Sequence, residues 1–137
     1  MSATRKVVLD ASAVLAYVLQ ERGWATVEKM LPVAVIPAPN MAEAIFIAIS
    51  RGWAGTADQL FDSLLSTGLE VEPLLPGDSI RAAELMGQSR GDGHQGGTLS
   101  LGDGLCLSVA ERLNVYVAGG DQAWSTLDLE VEFYPFR

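Results

Sequence analysis

The sequence predicts a three-layer α/β/α fold around a mostly parallel central sheet. Three observations carry that prediction. Short β-branched runs, KVVL at 6–9 and VAVI at 33–36, have the near-unbroken apolar character of strands covered on both faces. Helical segments separate the strands, and turn residues punctuate the boundaries. No repeat, linker or compositional break divides the 137 residues. One domain over 1–137 with a single hydrophobic core is therefore expected.

The elements follow in order. The first strand covers 6–9 and stops at Asp10. Residues 11–20 (ASAVLAYVLQ) read as a helix, and Trp24 to Leu31 as a second, short one. Val33 to Ile36 forms the next strand, closed by Pro37 and Pro39. Asn40 opens a helix through about Arg51, and Gly52 takes the usual C-terminal place. That helix, with MAEAIFIAIS at its heart, is apolar nearly all round, so it belongs in the core or partly in a dimer interface.

Residues 56–67 are amphipathic, with Leu60, Phe61 and Leu64 on one side, and Gly68 ends them. A strand from about Leu69 to Glu72 precedes a helix from about Asp78 to Ser89. Residues 91–97 (GDGHQGG) form a loop by composition. Leu101, Leu105, Val109 and Leu113 recur every four residues and mark one helical stripe. Val115 to Ala118 is a strand, Gln122 to Leu127 a helical turn, and Val131 to Tyr134 a final strand.

Composition narrows the function classes. Apolar residues make up 49% and charged residues 19%, which excludes a disordered chain. No apolar run approaches the ~20 residues of a membrane-spanning helix. Asp10 interrupts the apolar stretch after Arg5-Lys6, and no clear cleavage site follows. With a single cysteine, Cys106, these features predict a cytoplasmic protein without disulfides. The net charge of −8 runs against the basic surface that phosphate binding usually requires.

Four acids stand out, although each has an ordinary local explanation. Asp10 suits a helix N-cap. Glu43 lies three residues after Asn40, and Asp103 three after Ser100, both at capping-box spacing. Asp121 follows Gly119-Gly120 at a strand end and could cap the next turn. Jointly they are harder to explain. All four fall where a strand or loop enters a helix, and in a parallel sheet such junctions share one edge. At ~4 Å and an effective dielectric of ~20, each carboxylate pair would repel by roughly 4 kcal/mol. Helix dipoles offset only ~0.3–1 kcal/mol apiece. Either some of the acids stay protonated or a divalent cation sits among them. An all-oxygen set favours Mg²⁺ or Mn²⁺ over zinc. With these four set aside, 13 acidic residues face nine basic ones, so the acidity weighs less against a nucleic-acid substrate.

At these residues the chain resembles PIN domains of the VapC toxin group. The stretches are VVLDASAVLAYVL, NMAEAIFIAI, LSLGDGLCLSVAERL and VYVAGGDQAW. The resemblance implies a PIN-like fold and an endoribonuclease supported by one or two Mg²⁺ or Mn²⁺ ions. It further implies a homodimer and a cognate antitoxin, as in a type II toxin–antitoxin pair. Asp10 and Asp103 would be the principal metal ligands, and Glu43 and Asp121 would complete a catalytic quartet, partly through water. Ser12 and Ser100 would hydrogen-bond the carboxylates or a metal-bound water. One departure stands out: the family usually places Thr or Ser two residues before the last acid, where this chain has Gly119. That bears on the second metal position and on turnover.

Other readings fit less well. Gly91, Gly93 and Gly96 match G-x-G-x-x-G, but a helix rather than a strand is expected before them. A phosphoacceptor domain needs a late lysine, and none follows Lys29. A haloacid-dehalogenase-like phosphatase needs an acid where Ser12 stands. His94 is read as solvated, as are Arg51, Arg81 and Arg90; Trp24, Trp53 and Trp124 are assigned to packing. The alternative that remains is a catalytically weak or inactive PIN-like module that binds RNA or a protein partner. The residues contacting substrate are unknown at this level.

Overall fold

A computed structural model describes residues 4–91, 98–119, 124, 127 and 129–137. Its strands are β1 (Val7–Leu9), β2 (Ala34–Pro37), β3 (Glu70–Glu72), β4 (Tyr116–Gly119) and β5 (Phe133–Pro135). Its helices are α1 (Ala11–Val18), α2 (Trp24–Met30), α3 (Ala38–Ser50), α4 (Ala57–Leu65), α5 (Pro76–Ser89) and α6 (Leu101–Leu113). The strands form one sheet in the order β3-β2-β1-β4-β5. Every pairing is parallel, with Leu9 opposite Ala118 at the carboxyl ends of β1 and β4.

The unbroken apolar strands have the cause inferred from sequence: both sheet faces are covered. Val7, Leu9, Ala34, Ile36 and Ala118 point into a core shared with α1–α4. The alternate residues Val8, Val35 and Val117 point into a second core with Leu85 of α5 and Cys106, Leu107, Val109 and Ala110 of α6. The predicted three-layer α/β/α architecture is therefore present. Gly52 and Gly68 follow α3 and α4 with φ of +99° and +98°, the left-handed backbone that ends a helix at a glycine.

Some boundaries differ from expectation. α3 begins at Ala38, with Pro37 as its N-cap and no side-chain capping bond. Asn40 is therefore not the cap: proline is tolerated in a first helical turn, so Pro39 does not delay the helix. The stripe predicted along α6 fails at Leu101, which is 62% exposed. Every residue from Gly104 to Ala110 is buried instead, because the helix is enclosed by the sheet and α5. The last strand lies two residues later than expected at its start. Of the predicted turn at 122–127, only Trp124 and Leu127 are described; most of the loop at 91–97, with His94, lies outside the described residues.

α5 and α6 are joined by ion pairs that the sequence reading missed. Arg81 grips Glu111 through Nε at 2.6 Å and Nη2 at 3.0 Å, and Glu111 also accepts from the Glu130 N–H at 2.8 Å. Arg112 donates from Nε to Asp78 at 3.0 Å and from Nη1 to Glu72 at 3.1 Å. Burial opposes ionisation of Asp78. Hydrogen bonds from Arg112 and the Leu75 N–H, the Arg112 charge and the Ser108 hydroxyl outweigh it and hold the carboxyl below its ordinary pKa. Arg81 is thus a structural partner rather than a solvated surface residue. Among the described residues, no helix is long and apolar enough to cross a membrane.

Candidate active site

The strand order sets the location. From β1 the chain builds outward through β2 and β3, then returns to the other side of β1 for β4 and β5. β1 and β4 flank the topological switch point, beyond whose carboxyl ends α/β sheets open a crevice. Asp10 immediately follows β1, and its N–H donates to the Ala118 carbonyl at 3.1 Å.

Asp10 is both a helix cap and a candidate functional group. Its Oδ1 accepts from the Ala13 N–H at 2.8 Å, capping α1. The Ser12 hydroxyl lies 2.8 Å from each carboxylate oxygen, so the contact expected of Ser12 is present. The residue is buried, 5% exposed, and its carboxylate accepts from both of these donors.

Asp103 occupies the third position of a capping box at the start of α6. Its N–H donates to Ser100 Oγ at 3.1 Å, and its Oδ2 accepts from the Ser100 N–H at 3.4 Å. In this contact the Ser100 hydroxyl serves the helix end rather than a carboxylate.

Glu43 stands one turn into α3 and is exposed, unlike the buried residues expected of this helix. Its Oε2 comes within 3.1 Å of the position a Cβ on Gly102 would take, so the bare glycine lets it lie over the first turn of α6. Asn40, only 2% exposed, ties the two helices by donating from Nδ2 to the Gly102 carbonyl at 3.1 Å. Its Oδ1 has no hydrogen-bond partner among the described residues.

A buried thiol lies behind this edge. Cys106 lies one turn beyond Asp103, with Sγ 3.7 Å from the Leu9 carbonyl. Burial pushes its pKa well above the ordinary value, and the charges of Asp10, Asp103 and Glu43 add to the rise in that order. Asp121 lies outside the described residues, two positions after β4 ends.

The chemistry of the donor set fits a hard divalent cation: it is all oxygen, with a buried amide oxygen lacking a partner nearby. Among the described residues, however, no three Asp, Glu, His or Cys side chains stand close enough to hold an ion as they lie. A cavity of about 500 Å³ lies at the opposite edge of the sheet, lined by Arg5, Lys6, Tyr116 and Glu132. It pairs Arg5 and Lys6 with Glu130 and Glu132 and holds none of Asp10, Glu43 and Asp103, so side-chain chemistry rather than concavity locates the site.

Comparison with known proteins agrees with this architecture. The chain is similar in structure to VapC20 of Mycobacterium tuberculosis, a toxin that cleaves the sarcin–ricin loop. The TM-score is 0.62 at 17% identity, over 82% of this chain and 87% of the other. It is also similar to the DNA-bound VapBC of Salmonella typhimurium, with a TM-score of 0.70 at 12% identity over 98% and 100% of the two chains. VapBC2 of Rickettsia felis, bound to a fragment of its promoter DNA, gives a TM-score of 0.69 at 14% identity over 94% and 97%. At such identities these likenesses concern the fold. No curated protein sequence matches the chain. The family model described as the PIN domain matches residues 7–128, a span that includes all four acids, and the chain belongs to the PIN-domain family.

Proposed function

We propose that this protein is the toxin of a type II toxin–antitoxin pair, a VapC-type endoribonuclease that uses Mg²⁺ or Mn²⁺. The observation that carries the reading is the match to the PIN-domain family over residues 7–128, with Asp10 following β1 beside the switch point and Glu43 lying over the first turn of α6, which carries Asp103. Asp10 and Asp103 are proposed as the principal ligands, with Glu43 and Asp121 completing the quartet. When bound, one or two divalent ions would activate water and polarise the scissile phosphodiester, neutralising the acids that would otherwise repel it.

The chain's own residues prepare that position. Ser12 and the Ala13 N–H fix the orientation of the Asp10 carboxylate. The capping box fixes the backbone of Asp103. Asn40 holds the first turn of α6 against α3, which keeps Glu43 over Gly102. Each of these three acids is thus tied to the end of a strand or to a helix. A homodimer and a cognate antitoxin are proposed partners. Phe46 on α3 and Leu101 on α6, 71% and 62% exposed, are apolar surface suited to such contacts.

A second reading, a catalytically weak or inactive module that binds RNA or protein, draws on Gly119 and on the absence of a three-ligand group among the described residues. Incubating purified protein with an RNA pool and Mg²⁺ or Mn²⁺ separates the two. The enzyme cuts RNA, and both Asp10→Asn and Asp103→Asn abolish cutting. No cleavage with either metal, together with Asn variants that behave like wild type in cells, sinks the enzyme reading. Co-expression with the adjacent reading frame should yield a co-purifying antitoxin.

A further inference from the structure

The departure at position 119 has a structural counterpart. A Cβ placed on Gly119 would lie 2.5 Å from Cζ3 and 2.8 Å from Cη2 of Trp124, and 2.7 Å from Oδ2 of Asp10. Real carbon atoms do not approach so closely. Gly119 does not have a positive φ, so volume rather than backbone conformation demands the glycine. The indole edge and the Asp10 carboxylate together occupy the space that a side chain at position 119 would need.

Trp124 has no evident room to withdraw. It is fully buried and packs edge-on against Phe133, with centroids 5.6 Å apart at 64°. It belongs to the core on the α5–α6 side of the sheet, with Val117 and Leu127. Close-packed interiors resist such displacement. The benzenoid edge that faces the shared space carries the positive end of the ring quadrupole, which favours a neighbouring carboxylate. The same carboxylate accepts from the Ser12 hydroxyl at Oδ2 and from the Ala13 N–H at Oδ1.

We propose that Trp124 is the positioning residue for Asp10: its ring edge fills the volume of the absent side chain at 119 and fixes the carboxylate for cation binding. This role rests on the metal-dependent reading above. A purely structural indole would support the core and leave cation affinity unchanged.

The test is a double-mutant cycle on the full chain with Trp124→Leu, Gly119→Ser and the two combined. Mn²⁺ affinity is read by electron paramagnetic resonance, and metal-free stability by thermal unfolding. Each single change should weaken Mn²⁺ binding by about tenfold. The combination should return to within about threefold of wild type, since the serine occupies the vacated space and its hydroxyl can donate to Asp10. Metal-free melting temperatures should be non-additive in the same sense. If Trp124→Leu does not fold, Trp124→Phe takes its place in the cycle.

Mn²⁺ losses that simply multiply in the double variant overturn the proposal. So does a Trp124 variant that melts earlier yet binds Mn²⁺ like wild type. If wild type binds Mn²⁺ and cuts RNA while the cycle is additive, only the positioning role falls. If wild type does neither, the proposed function falls and takes the positioning role with it.

Discussion

The same residue types do opposite work in two parts of this molecule. Around α5 and α6, Asp78 of α5, Glu111 of α6 and Glu72 at the end of β3 each meet an arginine, with Arg112 or Arg81 at 2.6–3.1 Å. At the carboxyl edge of the sheet, the described partners of Asp10 and Asp103 are backbone N–H groups and, for Asp10, a hydroxyl. Glu43 makes no ion pair among the described residues. The first arrangement neutralises acids inside the protein and spends them on helix packing. The second gathers acids at the carboxyl edge of the sheet, on the ends of helices, where they serve as caps and as candidate cation ligands. Acid substitutions in the two regions should therefore have opposite signatures.

The largest separation is expected from Asp10→Asn and Asp103→Asn. At the N-cap, position 10, asparagine serves as well as aspartate, and at position 103 its amide oxygen can still accept from the Ser100 N–H, so each change removes charge while sparing local structure. RNA cleavage should fall by more than about 100-fold, beyond the usual loss for residues that merely support a ligand. Metal-free thermal stability should hold or rise, because like charges are relieved. A coupled loss of folding in both variants would erase the distinction between the regions.

Arg112→Ala tests the other side. It strands the buried Asp78 carboxylate, and breaking a buried pair costs about 3 kcal/mol. Denaturant unfolding should show that loss, while cleavage per folded molecule stays near wild type. A smaller effect is expected where the regions adjoin. Asn40→Ala removes the bond to the Gly102 carbonyl, at about 1 kcal/mol, and should lower cleavage more than so mild a destabilisation explains.

The pH response sharpens the contrast with the smallest effects. The Asp78 pKa is depressed on folding. Its contribution is therefore full above the ordinary carboxylate pKa and disappears as pH falls through the folded value. Cys106 is shifted upward, so its contribution is full below the ordinary thiol pKa and is lost as pH rises through and beyond it. Asp78→Asn should flatten the acid limb of stability against pH, and Cys106→Ala the alkaline limb.

The legible parts of the sequence were those where one local rule coincided with the global fold. Apolar β-branched runs gave β1 and β2, the Ser100–Asp103 spacing gave the start of α6, and Asp10 sat where its run ended. The Asn40–Glu43 spacing misled because an equally local alternative, proline in the first turn, started α3 earlier. Asn40 was then free to bridge to α6, a contact 62 residues distant that no local pattern encodes. The pairing of Arg81 and Arg112 with Glu111 and Asp78 is likewise non-local. At the site, four acids could be named from spacing and resemblance, but the pressure of Trp124 on the space beside Gly119 depends on a buried ring meeting two strand ends. Sequence showed the missing side chain there, and packing shows what replaced it.

The central claim is that acids from separate elements form one cation-binding edge. Titrating wild type and Asp103→Asn with Mn²⁺ by calorimetry tests it most directly. The account predicts saturable binding to wild type and an affinity at least about tenfold lower in the variant. Superimposable titrations, or no binding to either protein, would contradict it.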